Sequence, residues 1–105
     1  MEKAKQKRLE RRGWRVGTTQ EFLGLTDHEA AYIEVRLALS RNLQALRRKH
    51  RLTQVQVAKL LQSSQSRVAK MEAGDPSVSL DLLVRSLLAL DATRESLAKT
   101  IRAAS

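Results

Sequence analysis

Apolar residues recur at Val35, Leu39, Leu43 and Leu46, in steps of four, four and three. A helix turns about 100° per residue, so this spacing places all four on one face. Ahead of them, Thr26-Asp27-His28-Glu29 has the form of a capping box. There the N-cap hydroxyl and the carboxylate three residues on each satisfy a backbone N–H that the helix leaves unpaired. A long first helix is therefore predicted after Thr26, ending near His50. A second box, Thr53-x-x-Gln56, opens a helix of about two turns whose buried stripe is read as Val57, Leu60 and Leu61. Only Gln62-Ser63 precede the next start, where Ser64 can serve as N-cap. The third helix is predicted from Gln65 to Ala73 with Val68 and Met71 inward; Gly74 suits a left-handed cap, and Pro76 forbids continuation. A fourth follows Ser79 with Leu80, Leu83, Leu87 and Leu90 in register. Asp91-Ala92-Thr93 breaks it, and Leu97 and Ile101 mark a fifth. No alternating apolar run of strand length follows Thr26, so the class is all-α.

Residues 1–25 read differently. Gly13, Gly17 and Gly24 punctuate a segment that carries Trp14, Val16, Phe22, Leu23 and Leu25, a short strand or a hook packing on the body. Between Lys3 and Arg15 almost nothing is available to bury, and seven basic side chains in residues 1–15 oppose only Glu2 and Glu10. The first dozen residues read as a flexible basic arm or a frayed helix, serving either as a solubilising tail or as a DNA-contacting arm. The expected division is an arm with a partner-binding segment over residues 1–25, then the helical domain over residues 26–105. Large aromatics on a glycine-loosened segment suit a partner's pocket, which makes Trp14, Val16, Phe22 and Leu23 candidates for such contact. The competing reading has Trp14 and Phe22 covering the first helix of their own domain.

Charge narrows the partners. The chain has 105 residues, enough for one domain, with 20 Lys and Arg against 11 Asp and Glu for a net charge of +9. A field of that sign favours a polyanion: DNA, RNA or an anionic membrane surface. Cysteine is absent, and His28 and His50 stand apart at positions best read as solvated. No metal and no cofactor is expected. The apolar runs are too short to span a bilayer, and the basic N-terminus has no apolar stretch after it, so neither a membrane segment nor a signal is read. The expected setting is the cytoplasm. No Ser/His/Asp set, paired carboxylates or glycine-rich phosphate loop emerges, so an enzyme is not expected. RNA lacks support because no aromatic platform for stacking bases is visible.

Residues from Gln54 to Gly74 meet the demands of two short helices joined by a tight turn, a unit whose second helix can enter a major groove. Ala58 must be small where the helices cross, and Val57, Leu61, Val68 and Met71 fall where a shared core needs apolar groups. If Val68 and Met71 point inward, Gln65, Ser66, Ala69 and Lys70 point outward. Gln can read adenine with two hydrogen bonds, and Lys can reach O6 and N7 of guanine. A plain solvated surface is the competing reading of that face.

The run Leu52-Thr53-Gln54-x-x-x-Ala58, followed by Ser64-Gln65-Ser66-Arg67-Val68-Ala69-Lys70-Met71-Glu72-Ala73-Gly74, resembles the XRE, or lambda-repressor-like, helix-turn-helix family. The resemblance implies a five-helix lambda-repressor-like domain, here with a basic, partly flexible N-terminal arm. It also implies a homodimer on the major groove of double-stranded DNA. Gln54 would bind a phosphate and brace the first recognition-helix residue, while Gln65, Ser66 and Lys70 reach base edges and Ser64 sits at the backbone. Arg67 and Ala69 complete the implied DNA-facing set, and Arg47 and Glu72 match a structural ion pair. Two positions depart from the family pattern. Gln62 stands where glycine is usual at positive φ, at a cost of about 1 kcal/mol or in a reshaped turn. Ser63 stands where the family is apolar.

Over a longer span, Trp14-Arg15-Val16-Gly17, Glu21-Phe22-Leu23-Gly24-Leu25 and Val78-Ser79-Leu80-Asp81-Leu82-Leu83 are similar to small HigA-type antitoxins. Such proteins repress their own operons and occlude a RelE- or HigB-like toxin. The function this implies is a sequence-specific transcriptional regulator, the antitoxin of a type II toxin–antitoxin pair. The alternatives are a stand-alone phage-type repressor and a protein-binding helical module without DNA specificity. Leu80, Leu82, Leu83, Leu87, Leu88, Leu90, Leu97 and Ile101 are more large aliphatics than so small a body readily hides; some must fill the core or be covered by a second chain, and they are expected to form a symmetric dimer surface.

Overall fold

In a computed structural model of the chain, residues 24–104 are described. Among these residues five helices follow one another: α1 (Asp27–Lys49), α2 (Gln54–Leu60), α3 (Gln65–Ala73), α4 (Leu80–Ala89) and α5 (Arg94–Ala103). No strand occurs among the described residues. Two units divide the chain between Ile33 and Glu34, inside α1. The expected strand or hook near Trp14, and the arm before it, lie outside the described residues.

The first four helices begin at a side chain read as their start in the sequence, and the fifth at Thr93, which was read only as part of the break before it. The Thr26 hydroxyl accepts the Glu29 N–H at 3.2 Å, and Glu29 Oε1 accepts the Thr26 N–H at 3.2 Å. Thr53 and Gln56 exchange the equivalent bonds at the start of α2, as Thr93 and Ser96 do at the start of α5. Ser64 and Ser79 cap α3 and α4 by accepting the Arg67 and Leu82 N–H groups. Each such bond removes one of the unpaired donors that every helix N-terminus carries, and stabilises by about 1 kcal/mol.

The ends of α1 to α4 share one geometry. Arg51, Gln62, Gly74 and Asp91 all have positive φ. After each of them the next N–H turns back to a carbonyl in the last helical turn: Leu52 to Arg47, Ser63 to Ala58, Asp75 to Lys70 and Ala92 to Leu87. This is the Schellman arrangement, which glycine adopts without a Cβ penalty. Only Gly74 is glycine. At Gln62, φ is 53°, so the turn between α2 and α3 keeps the left-handed shape and bears the strain rather than changing form. Gln62→Gly is therefore expected to stabilise the folded domain by about 0.5–1 kcal/mol. Urea denaturation of the two proteins measures it, and an unchanged or lower midpoint would show that Gln62 is not strained.

From Glu34 onward one core holds the helices together. Leu39 and Leu43 of α1, Val57 and Ala58 of α2, Val68 and Met71 of α3, and Leu83 and Leu87 of α4 are buried. Val78, Leu90 and Ala92 close it from the connections, and Val35, Leu46, Leu52, Leu61 and Leu97 pack on its margin. Leu60, read as part of the α2 stripe, is instead 64% exposed. Val57, Ala58 and Leu61 set the buried direction of α2, and at 100° per residue Leu60 falls well to one side of it. The leucines of α4 largely fill this chain's own core. Leu83, Leu87 and Leu90 are buried and Leu80, Leu82 and Leu97 half-buried, which leaves Leu88 and Ile101 as the exposed pair. His50 is exposed as expected, yet its ring Nε2 lies 3.2 Å from the Leu90 carbonyl and bonds to it, linking the end of α1 to the end of α4. On the other side, Asn42 Nδ2 donates to Thr100 Oγ1 at 3.2 Å, tying α5 to α1. None of the described helices is long and apolar enough to cross a membrane.

Candidate nucleic-acid interface

No other pair of described helices touches as extensively as α2 and α3. Their joint needs small and branched side chains where the backbones approach, supplied by buried Ala58 and Val57 against Val68 and Met71. With that side fixed, helical geometry aims the rest of α3 outward. Ser66 and Lys70 stand opposite the core and are exposed, with Ala69 half-buried to one side, toward Gln65. Gln65 lies exposed on the flank toward α2, and Arg67 on the flank toward α4. Ser64, at the N-cap, is exposed as well.

Beneath Gln65 runs a chain of side-chain hydrogen bonds. Arg47 Nε donates to Glu72 Oε2 at 2.6 Å and its Nη2 donates to Oε1 at 3.0 Å, the two-pronged pairing a guanidinium makes with a carboxylate. Its third nitrogen, Nη1, donates to the Leu52 carbonyl at 3.0 Å. The pair is well covered, with 14% of the Arg47 side chain and 3% of the Glu72 side chain exposed. The bond to Glu72 holds the Arg47 guanidinium above its ordinary pKa, against the opposing effect of desolvation. Glu72 Oε1 also accepts from Gln54 Nε2 at 3.2 Å, and Gln54 Oε1 accepts from Gln65 Nε2 at 2.7 Å. The positions expected to form an ion pair, a brace and a base-reading group are thus in one continuous contact.

On the other flank, α3 and α4 begin beside a groove of about 410 Å³ lined by Ser64, Ser66, Arg67, Lys70, Ser77, Val78, Ser79 and Leu82. Hydroxyls and two cations dominate it. The connection is held by Asp75, whose Oδ1 accepts the Ser77 N–H at 2.8 Å. That backbone hydrogen bond, more than any other influence, keeps the Asp75 carboxyl below the usual range. The stabilisation it provides is complete at neutral pH and is lost as pH falls through the lowered value. On α1, Arg36 Nη2 fastens the same turn through the Asp75 carbonyl at 2.9 Å. Ser77 and Ser79 were not singled out as site residues in the sequence. Ser79 announces itself only as an N-cap, and Ser77 has no local signal.

The exposed face of α3 carries no acid, because its single carboxylate is the buried Glu72. Among the described residues no group of His, Asp and Glu could hold a metal ion. Trp14, Val16, Phe22 and Leu23 lie outside the described residues.

Comparison with curated proteins and with solved structures finds no match for this chain. A family model described as a helix-turn-helix domain matches residues 38–99, from the middle of α1 to the last helix. That span contains the whole α2–α3 unit, its ion pair and its turn. With five helices among the described residues and this motif formed by the second and third of them, the chain belongs to the helix-turn-helix domain family, of the XRE or lambda-repressor-like type.

Proposed function

We propose that the chain is a sequence-specific transcriptional regulator that reads the major groove with α3 as a homodimer. In this reading Gln65, Ser66, Ala69 and Lys70 face the bases, while Ser64, Arg67 and Gln54 hold phosphates beside them. One observation carries the reading. The exposed face of α3 is cationic and free of acid, and its first residue is braced from behind by Gln54. Ser77 and Ser79 extend the backbone contact, since they share a groove with Arg67 and Lys70. The N–H groups that open α4 add favourable dipoles for an anion.

The finer reading is an antitoxin that represses its own operon at the bacterial nucleoid, with residues 1–25 as a basic arm and toxin-binding segment and residues 26–105 as the DNA-binding domain. Its support is the resemblance of Trp14-Arg15-Val16-Gly17 and Glu21-Phe22-Leu23-Gly24-Leu25 to small antitoxins. The homodimer rests on operator geometry, in which two-fold proteins place half-sites about one helical turn apart.

Fluorescence anisotropy on the gene's own upstream DNA tests the regulator. Binding should weaken linearly on a log–log plot against salt, and should exceed binding to scrambled duplex by at least about a thousandfold. Equal affinity for both duplexes would defeat the reading. Deleting residues 1–20 is expected to leave a folded protein that shifts the same DNA with a shallower salt slope, yet no longer captures a co-expressed toxin from the adjacent gene. Retained capture would place the partner surface elsewhere, and loss of folding would make the segment part of the core.

A further inference from the structure

We infer that Glu72 is a positioning residue for base recognition: acting through Gln54, it fixes which way round the Gln65 amide faces the DNA. The inference rests on the reading of Gln65 as a base contact.

Each hydrogen bond in the relay runs in one direction. Arg47 only donates and the Glu72 carboxylate only accepts, so nothing between them can reverse. Because Glu72 Oε1 accepts at 3.2 Å, Gln54 must turn its NH₂ toward it. The carbonyl oxygen of Gln54 then faces the other way, where it accepts the Gln65 Nε2 at 2.7 Å. Gln65 is thereby obliged to donate inward with one N–H. Its second N–H and its Oε1 remain for the groove. One donor beside one acceptor is what adenine requires, with N7 accepting and N6 donating. Guanine presents two acceptors there, N7 and O6, and suits an amide that offers both N–H groups outward. Reversing Gln65 would require Gln54 to donate to it, and then to turn its oxygen toward the carboxylate. The 3%-exposed Glu72 side chain forbids that by repulsion between two acceptors.

Neutralising Glu72 removes the polarity at its source. A glutamine at that position can offer Gln54 either an oxygen or an N–H, so both senses of the Gln54 and Gln65 amides become available. The proposed phosphate contacts of Ser64 and Arg67 are untouched by the change and only that of Gln54 shares in it, so overall affinity should fall by less than the choice between adenine and guanine.

The test is selection from a randomised duplex pool, followed by titration of every single-base variant of the selected site, using the full-length chain. The position read by Gln65 is the one whose preference Gln65→Ala abolishes. There Glu72→Gln is expected to reduce adenine-over-guanine discrimination by about fivefold to tenfold, a part of the range typical of one two-pronged base contact. Preferences at the other positions should stay within about twofold. In a Gln54→Met background, which leaves the ion pair intact but cannot transmit its polarity, the same change at Glu72 should have no further effect on that ratio. A merely structural role would lower affinity at all positions and in both backgrounds alike.

Should Glu72→Gln fail to fold, Glu72→Asp keeps the charge for Arg47 while withdrawing the carboxylate from Gln54, and should lower the same ratio in a protein that melts normally. Side-chain amide ¹⁵N resonances of Gln54 and Gln65, shifted in both Glu72 variants before DNA is added, would support the relay independently. An unchanged adenine preference in a folded Glu72 variant, or one in which Gln65→Ala has no effect, overturns the inference. A wild-type chain that selects no sequence at all defeats the DNA-reading assignment itself, which is a separate result.

Discussion

Arg47→Ala is expected to cost about 3–5 kcal/mol of folding stability, and to lower the melting temperature by on the order of 15 °C, before any DNA is present. The magnitude follows from what remains behind. Glu72, with 3% of its side chain exposed, would keep a buried charge whose two strongest partners, Arg47 Nε and Nη2, are gone. Gln54 Nε2 at 3.2 Å is the only remaining side-chain donor in the relay. The Leu52 carbonyl also loses its donor, Arg47 Nη1, at the connection between α1 and α2. The reciprocal change, Glu72→Ala, should cost less, because Arg47 is the more exposed partner and can swing toward water. Arg47→Lys should recover only part of the loss, since one ammonium cannot span both carboxylate oxygens and the carbonyl. Thermal melts of the three variants measure the series. An Arg47→Ala protein that melts like the parent but binds DNA poorly would move Arg47 into the interface.

Gln65→Ala and Lys70→Ala are each expected to reduce discrimination between cognate and mismatched duplexes by about 1–3 kcal/mol. Both stand on the outward side of α3, and Gln65 is held in place by Gln54. Arg67→Ala should behave otherwise. Arg67 shares a groove with Ser77 and Ser79 at the paired helix starts, and in the proposed reading it holds a phosphate rather than a base edge. Its loss should weaken binding to all duplexes alike and reduce the salt slope by about one. Titrations on cognate and random DNA at several salt concentrations separate the two classes. If Gln65→Ala and Lys70→Ala depress both affinities equally, the two residues are phosphate contacts and the base-reading assignment fails.

The order and limits of the helices were legible in the sequence because caps and periodicity are local. Thr26 with Glu29, Thr53 with Gln56, Ser64 and Ser79 each satisfy backbone groups within three residues, so the chain announces its starts without reference to the fold. Gly74 announces one end in the same way. The direction of α3 was legible too, since Val68 and Met71 leave one choice for its buried side. Leu60 could not be placed by composition, because three neighbouring apolar residues of α2 compete for one buried direction and only the position of α3 decides among them. The leucines of α4 and α5 posed the same difficulty on a larger scale. Their number suggested a second chain, and packing against α1 to α3 absorbs most of them.

Within the candidate site, the residue types at Arg47, Gln54, Gln65 and Glu72 were evident, but their connection was not. It joins positions 25, 18 and 11 residues apart. No local rule relates side chains at those separations, and the contact exists only because α2 carries Gln54 into the space between α1 and the start of α3. The groove with Ser77 arises likewise where α3 and α4 begin side by side. The sequence by itself determined the described helices, the buried side of α3 and the family. Tertiary packing decided which polar groups meet, because hydrogen bonds of about 3 Å depend on how whole helices dock rather than on their neighbours in the chain.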